Sequence, residues 1–352
     1  MELHSTTETQ QKKVESKEGM KLFKRLPKIR WQPRQDDSFI SFEQWDNYPD
    51  LKEDLSLLND HLLPKFHRYD NKALEAQNSF RRDQLILLIG SATAAILGAI
   101  QIALIKSWVP GALETVITIS LTVMTYIVRS FNKQRGYFTD RLIAETLRGE
   151  YYLFLGRIGE YADEEKRLQH LKRRVSEITS QQSQPREMSR LSSADISNVE
   201  AVSRDQQFLD LYKDRRYFDQ IAYYEGRQKE FEEAHNEFVI LSAILMGLTA
   251  LMSFLSSFEI ENLKIWFALL AVIFPTLSAA LSTYTTLYAF ERQAKIYHDA
   301  FSRLESAEHK LIAASKSRQE IVDFVNEVEK VFLEERGQWG LLADIKLPEP
   351  PM

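Results

Sequence analysis

Five residues of one apolar segment, Thr115, Thr118, Thr122, Thr125 and Arg129, recur at alternating steps of three and four. On a helix those positions share one face, so the stretch Gly111 to Arg129 carries a stripe of hydroxyls that ends in a guanidinium. A later apolar segment repeats the spacing with Pro275, Ser278, Ser282, Thr285 and Ala289. Polar groups on membrane helices turn toward protein or water, so hydroxyls on one face can line an aqueous path. They can equally pack helices closely and bond back to their own carbonyls. The sequence leaves both readings open. Carboxylates stand near the stripes, Glu114 at the start of the first and Glu259 and Glu261 in the turn before the second. Rings of such groups at a pore mouth would favour cations. For Glu114, an interfacial side chain reaching for water is the competing reading.

Bond-making chemistry finds little to work with. The seven histidines, His4, His61, His67, His170, His235, His298 and His309, are dispersed and form no HExxH pair. No P-loop or GxGxxG occurs, and the absence of cysteine excludes disulfides and thiolate metal sites. Carboxylates such as Glu232 and Glu233 read as the soluble face of a charged helix. A formal charge of -5 argues against a nucleic-acid binder, which would show a basic domain. The expectation is therefore a protein that is no enzyme and holds no cofactor or metal.

The elements that must position the stripes are apolar blocks set among charged segments. The block from Leu85 to Ile105, at 1.5 Å per residue, spans about 31 Å and matches a bilayer core. Gly90, Ala94 and Gly98 form a small-residue ladder on it that lets a neighbouring helix approach. A short turn, Ser107 to Gly111 with Trp108 as an interfacial anchor, leads into the striped block and makes a hairpin. A second pair of blocks, Phe238 to Phe258 and Ile265 to Phe290, makes another, with Pro275 able to kink its second helix.

Around the hairpins the chain is charged but rhythmic. Leu51, Leu55, Leu58 and Leu62 line a short amphipathic helix behind Pro49. Leu147, Tyr151, Phe154, Ile158, Tyr161, Leu168, Leu171, Val175 and Ile178 keep a seven-residue rhythm that predicts a coiled coil or stalk. A helix from Val199 to Glu237 feeds the third block, and a final one runs to about Glu335 before LPEPPM stops it. The basic and aromatic run Lys21 to Arg34 could lie on an anionic leaflet or simply be solvated. The N-terminus has no apolar core of a cleavable signal.

Helix, hairpin, helix occurs twice at a separation of roughly 155 to 160 residues, which reads as a parallel duplication. Phe131-Asn132-Lys133-Gln134 matches Phe290-Glu291-Arg292-Gln293. Arg81, Arg82, Arg129, Lys133 and Arg135 flank the open side of the first hairpin, whereas its turn has only Lys106. The positive-inside rule then puts both termini in the cytoplasm.

The stretch FRRDQLILLIG (Phe80 to Gly90), the short hairpin, and the exit FNKQRGYFTDRLIAETLRGEYYLF (Phe131 to Phe154) resemble the SLATT family, the SMODS- and SLOG-associated two-transmembrane effectors. Within that exit the likeness rests on Arg141, Ala144, Glu145, Leu147 and Glu150. The second copy, Tyr223 to Phe238 and Tyr288 to Glu308, resembles it more weakly. The resemblance implies a membrane effector of prokaryotic conflict systems that oligomerises into pores when a nucleotide-sensing partner is triggered. It implies no catalytic residues.

The expected architecture is an all-α integral membrane protein of the inner membrane, with two tandem transmembrane hairpins and long cytoplasmic coiled-coil-like helices. A flexible tail (1–48) precedes the first module (49–180, spans 85–105 and 112–128). A linker (181–198), the second module (199–336, spans 238–258 and 265–290) and a C-terminal tail (337–352) follow. The expected function is a homo-oligomeric membrane effector that forms or gates an ion-conducting pore. The alternative is a membrane-anchored scaffold that recruits partners through its cytoplasmic helices.

Overall fold

A computed structural model describes residues 39–104, 107–130, 133–180, 199–258, 263–314 and 317–342. The basic run Lys21 to Arg34, the 181–198 linker, Glu259, Glu261, Phe131-Asn132 and the LPEPPM end lie outside them. Every regular element among the described residues is helical: α1 (Lys52–His61), α2 (Leu63–Ala103), α3 (Val109–Ser130), α4 (Lys133–Leu155), α5 (Arg167–Thr179), α6 (Val199–Tyr212), α7 (Asp219–Ser256), α8 (Lys264–Tyr288), α9 (Phe290–Ala314) and α10 (Arg318–Leu342).

Four of these helices are long and apolar enough to cross a membrane, and only 6–11% of the residues in their most apolar windows are buried. An apolar surface that large is unfavourable in water, which makes the bilayer its natural solvent. The chain is thus an all-α membrane protein. The α2 helix is a single rod of 41 residues, about 60 Å long, and α7 of 38 residues is about 57 Å. Each is roughly twice the thickness of a hydrocarbon core, so half of each lies outside it.

Inside the membrane layer α3 packs on α2, α2 on α8, and α8 on α7. The α3 helix makes no extensive contact with α7 or α8. The four therefore stand as an open row, α3-α2-α8-α7, rather than a closed bundle. The row begins sooner than the turn Ser107 to Gly111 predicts, because Val109, Pro110 and Gly111 already belong to α3. Proline is tolerated in a first helical turn, where its missing N–H has no partner to lose. Trp108 is 78% exposed, as an interfacial anchor would be.

Outside that layer the remaining helices share one core with the inner halves of α2 and α7. Leu51, Leu55, Leu58 and Leu62 are all buried in it, as their spacing predicts. Phe39 and Ile40 join them, so the last residues of the expected flexible tail are packed; the Phe39 ring stands edge-on to Tyr151 and Phe66. The heptad rhythm does not run on as one straight stalk. Its apolar positions are buried, apart from the half-buried Leu168, but the chain turns after Leu155 and folds α5 back onto α4. Arg157 takes a left-handed conformation there (φ 50), beside Gly159 (φ 68), and a short 3-10 turn follows at Gly159–Ala162. A heptad rhythm records which residues are buried, and two helices of a folded-back pair need the same rhythm as a rod. The expected final helix is likewise two, α9 and α10, packed on each other, and α10 runs on to Leu342. Between α6 and α7 the ladder widens into a π-helical stretch, Lys213–Phe218.

Candidate functional site

The hydroxyl stripe of α3 divides by orientation. Thr115, Thr118 and Thr122 are exposed, whereas Thr125 is half-buried on the side turned to α2 and α8. Thr115 donates to the Gly111 carbonyl, Thr122 to Thr118 and Thr125 to Leu121, each at 2.8 Å. Back-bonding spends the hydroxyl hydrogen inside the helix and leaves oxygen lone pairs on its surface. At Thr115 and Thr122 the exposed surface therefore offers acceptors rather than donors.

The later stripe is placed differently. Ser278 is buried, and its hydroxyl lies 3.3 Å from the Ser242 carbonyl of α7, as a donor across the helix pair. Ser282 is exposed; its carbonyl accepts from Thr285 at 2.8 Å and from Thr286 at 2.9 Å. Ser278 therefore belongs to close packing, and only Ser282 and part of Thr285 face outward. Pro275 sits inside α8, which continues through it. At the end of α8 Ala289 is left-handed (φ 46, ψ 45) and caps the helix through its N–H. Residue by residue the two stripes are unlike.

The small-residue ladder meets α3 directly. A Cβ on Gly90 would lie 2.7 Å from a Leu121 methyl, and one on Gly98 would lie 2.9 Å from a Glu114 carboxylate oxygen. Ala94 between them is buried. These contacts are what small residues on one helix face allow. Glu114 thus lays its carboxylate over Gly98, inside the hairpin rather than at an open mouth.

A crevice of about 550 Å³ opens between α2, α3 and α8 where α3 and α8 fail to meet. Gln84 and Ser91, and with them Thr276, Ala279, Ala280 and Thr283, were not among the residues singled out by spacing. The signal was present, since Thr276, Ala279, Ala280 and Thr283 fall at steps of three, one and three on α8.

Two buried ionic knots fix the extramembrane helices to one another. In the first, Asp54 of α1, 1% exposed, pairs with Arg167 of α5 and with Arg204 of α6 at 2.5 Å, with Arg157 3.5 Å away. Arg318 of α10 adds Asp205 at 2.9 Å and the Gly156 carbonyl at 2.5 Å. In the second, Arg216 of the π-helical stretch grips Glu329 of α10 through two bonds of 2.9 and 3.0 Å. Tyr212 donates to the same carboxylate at 3.0 Å, and the guanidinium lies over the Phe332 ring at 4.1 Å. Burial works against the Arg216 charge, but the Glu329 carboxylate outweighs it and holds the guanidinium above its ordinary pKa. Burial also pushes Tyr152 up to about 12, which Arg216 and Arg148 only partly offset.

Comparison with known families divides the chain in two. Residues 212–339 match the model described as SMODS and SLOG-associating 2TM effector domain 1. Residues 64–169 match a second, described as a protein of unknown function (DUF4231). Because the two models differ, they do not establish the halves as copies of each other. No curated protein and no solved structure matches the chain.

Proposed function

From a chain that carries a SMODS and SLOG-associating 2TM effector domain over residues 212–339, we infer a membrane effector that assembles with further copies to form or gate an ion-conducting path. The observation that carries this reading is the open row. Four helices in a row enclose nothing, and the terminal one, α3, turns the exposed hydroxyl side of Thr115, Thr118 and Thr122 away from its own chain. A conduit lined by that face needs several copies. The back-bonded hydroxyls of Thr115 and Thr122 turn lone pairs outward, which suits cations better than anions. The knots at Asp54 and Glu329 make the extramembrane helices one unit, through which a partner protein could act on α2 and α7.

Reconstituted in liposomes, the protein should pass monovalent cations, and Thr118→Leu/Thr122→Leu should reduce that flux by about tenfold or more. A bilayer that stays tight under every trigger applied, or a flux indifferent to both substitutions, would overturn the reading. The anchored-scaffold alternative predicts that indifference, with charged substitutions in the buried core at Tyr151 or Phe154 abolishing partner recruitment instead.

A further inference from the structure

We propose that the crevice between α2, α3 and α8 holds one anionic phospholipid of the leaflet nearest the helical domain, an acyl chain lying in the slot and the phosphate meeting Arg81. The walls are mostly carbon: Leu87, Leu88 and Ala92 on α2, Leu121 on α3, and Ala279 and Ala280 on α8. Their hydroxyls do not make the slot polar. Ser91 donates to the Leu88 carbonyl at 2.9 Å, Thr125 to Leu121 at 2.8 Å, Thr276 to Val272 at 2.9 Å and Thr283 to Ala279 at 2.8 Å. With every one of those donors spent on its own helix, water gains little by entering and a hydrocarbon chain loses little.

Position and length fit one leaflet. From Gln84 to Ala92 the slot runs about 12 Å along α2, against about 15 Å for half a hydrocarbon core. It occupies the halves of α2, α3 and α8 that lie nearer the extramembrane helices, and α3 and α8 leave it open sideways to lipid. Its volume falls within the ~300–1,000 Å³ usual for a small-molecule site.

Charge selects the headgroup. Arg81 precedes Gln84 by three residues, which on a helix puts it in the slot face one turn nearer the domain. Its guanidinium lies over the Tyr288 ring at 5.8 Å, so it bridges the mouth from α2 to the end of α8. Arg82 and Asp83 fall on other faces of α2 and pair with each other at 3.4 Å. A guanidinium at the mouth of an apolar slot can meet the phosphodiester that both lipid types carry, but a choline headgroup brings a second cation beside it, so a headgroup of net negative charge is the better match. The slot lies within one chain and holds lipid whether or not copies assemble or conduct.

The test is native mass spectrometry of the full-length protein released from nanodiscs of equal parts phosphatidylglycerol and phosphatidylcholine. The wild type should retain phosphatidylglycerol about tenfold more than phosphatidylcholine. Arg81→Gln should remove that preference, while Arg81→Lys keeps part of it. Ala280→Phe, which fills the slot, should lower retention of both lipids. Variants are compared only where helical content and elution match the wild type, and Arg81→Lys and Ala280→Phe test headgroup and chain separately. Equal retention of the two lipids by the wild type would overturn the proposal. So would a preference that survives Arg81→Gln, or retention unchanged by Ala280→Phe. Because the readout is bound lipid, failure of the pore reading would leave this result standing.

Discussion

Replacing Glu329 by Gln perturbs one of the two most enclosed charge pairs among the described residues. The side chains of Arg216 and Glu329 are 2% and 4% exposed. The carboxylate accepts three bonds, two from Arg216 and one from Tyr212. The amide keeps one acceptor oxygen but turns an NH2 group toward donors, and it leaves a guanidinium buried without a counter-charge. Breaking a buried pair from one side costs about 3–5 kcal/mol. In a domain of 150–250 residues each kcal/mol moves Tm by roughly 2–4 °C, so the expected loss is roughly 6–20 °C. The assay is a thermal melt in detergent followed by near-UV circular dichroism, because Tyr152 and Phe332 flank the guanidinium and report on that site. The double variant Arg216→Met/Glu329→Leu removes both charges together and should recover most of the loss. A Glu329→Gln shift below about 2 °C would refute this reasoning, as would a double variant that loses the plain sum of the two single changes.

Two further outcomes follow from the geometry. Gly90→Val drives a branched side chain into Leu121, one of whose methyls lies 2.7 Å from the added Cβ, and should destabilise the first hairpin by about 1–3 kcal/mol in a nanodisc melt, whereas Gly226→Ala, whose Cβ meets nothing within 4 Å, should lower Tm not at all; equal effects would count against the packing described. Tyr152, held near 12 when folded against an ordinary 10, binds its proton more tightly in the native state. The stability it contributes is complete below about pH 10 and lost as pH rises toward 12, so Tm should fall over that window and fall less steeply in Tyr152→Phe. Identical slopes would sink the assignment.

How much of this was legible before the structure depends on the range of the interaction. The apolar helices and the amphipathic face of Leu51 to Leu62 are local patterns that spacing reveals, and Leu51, Leu55, Leu58 and Leu62 are buried accordingly; the ladder Gly90, Ala94, Gly98 is local too, and α3 lies against it. The fold-back after Leu155 was not legible, because burial of Tyr161, Leu171 and Val175 is common to a straight stalk and a folded pair. Its one local sign, Gly156 and Gly159 around Arg157, is brief. The knots could not be read at all, since Arg204 and Asp54 are 150 residues apart and Arg216 and Glu329 are 113 apart. No periodicity links such positions; only the packed helices do. The stripes were legible as hydroxyl faces but not by what they face, which is why Ser278 proved internal while Thr118 stayed open.

The unbroken course of α2 and α7 has a mechanical consequence. A rod packed into the helical domain at one end and standing in lipid at the other is a lever whose fulcrum is the membrane surface. Each arm of α2 is about 30 Å, so a tilt of about 10° imposed on the domain would sweep the opposite tip by about 5 Å, one helical turn's worth of displacement. On the other side of the row the chain is jointed, at the left-handed Ala289 between α8 and α9. Stiff members beside hinged ones are what convert a small push on the domain into relative sliding of neighbouring helices.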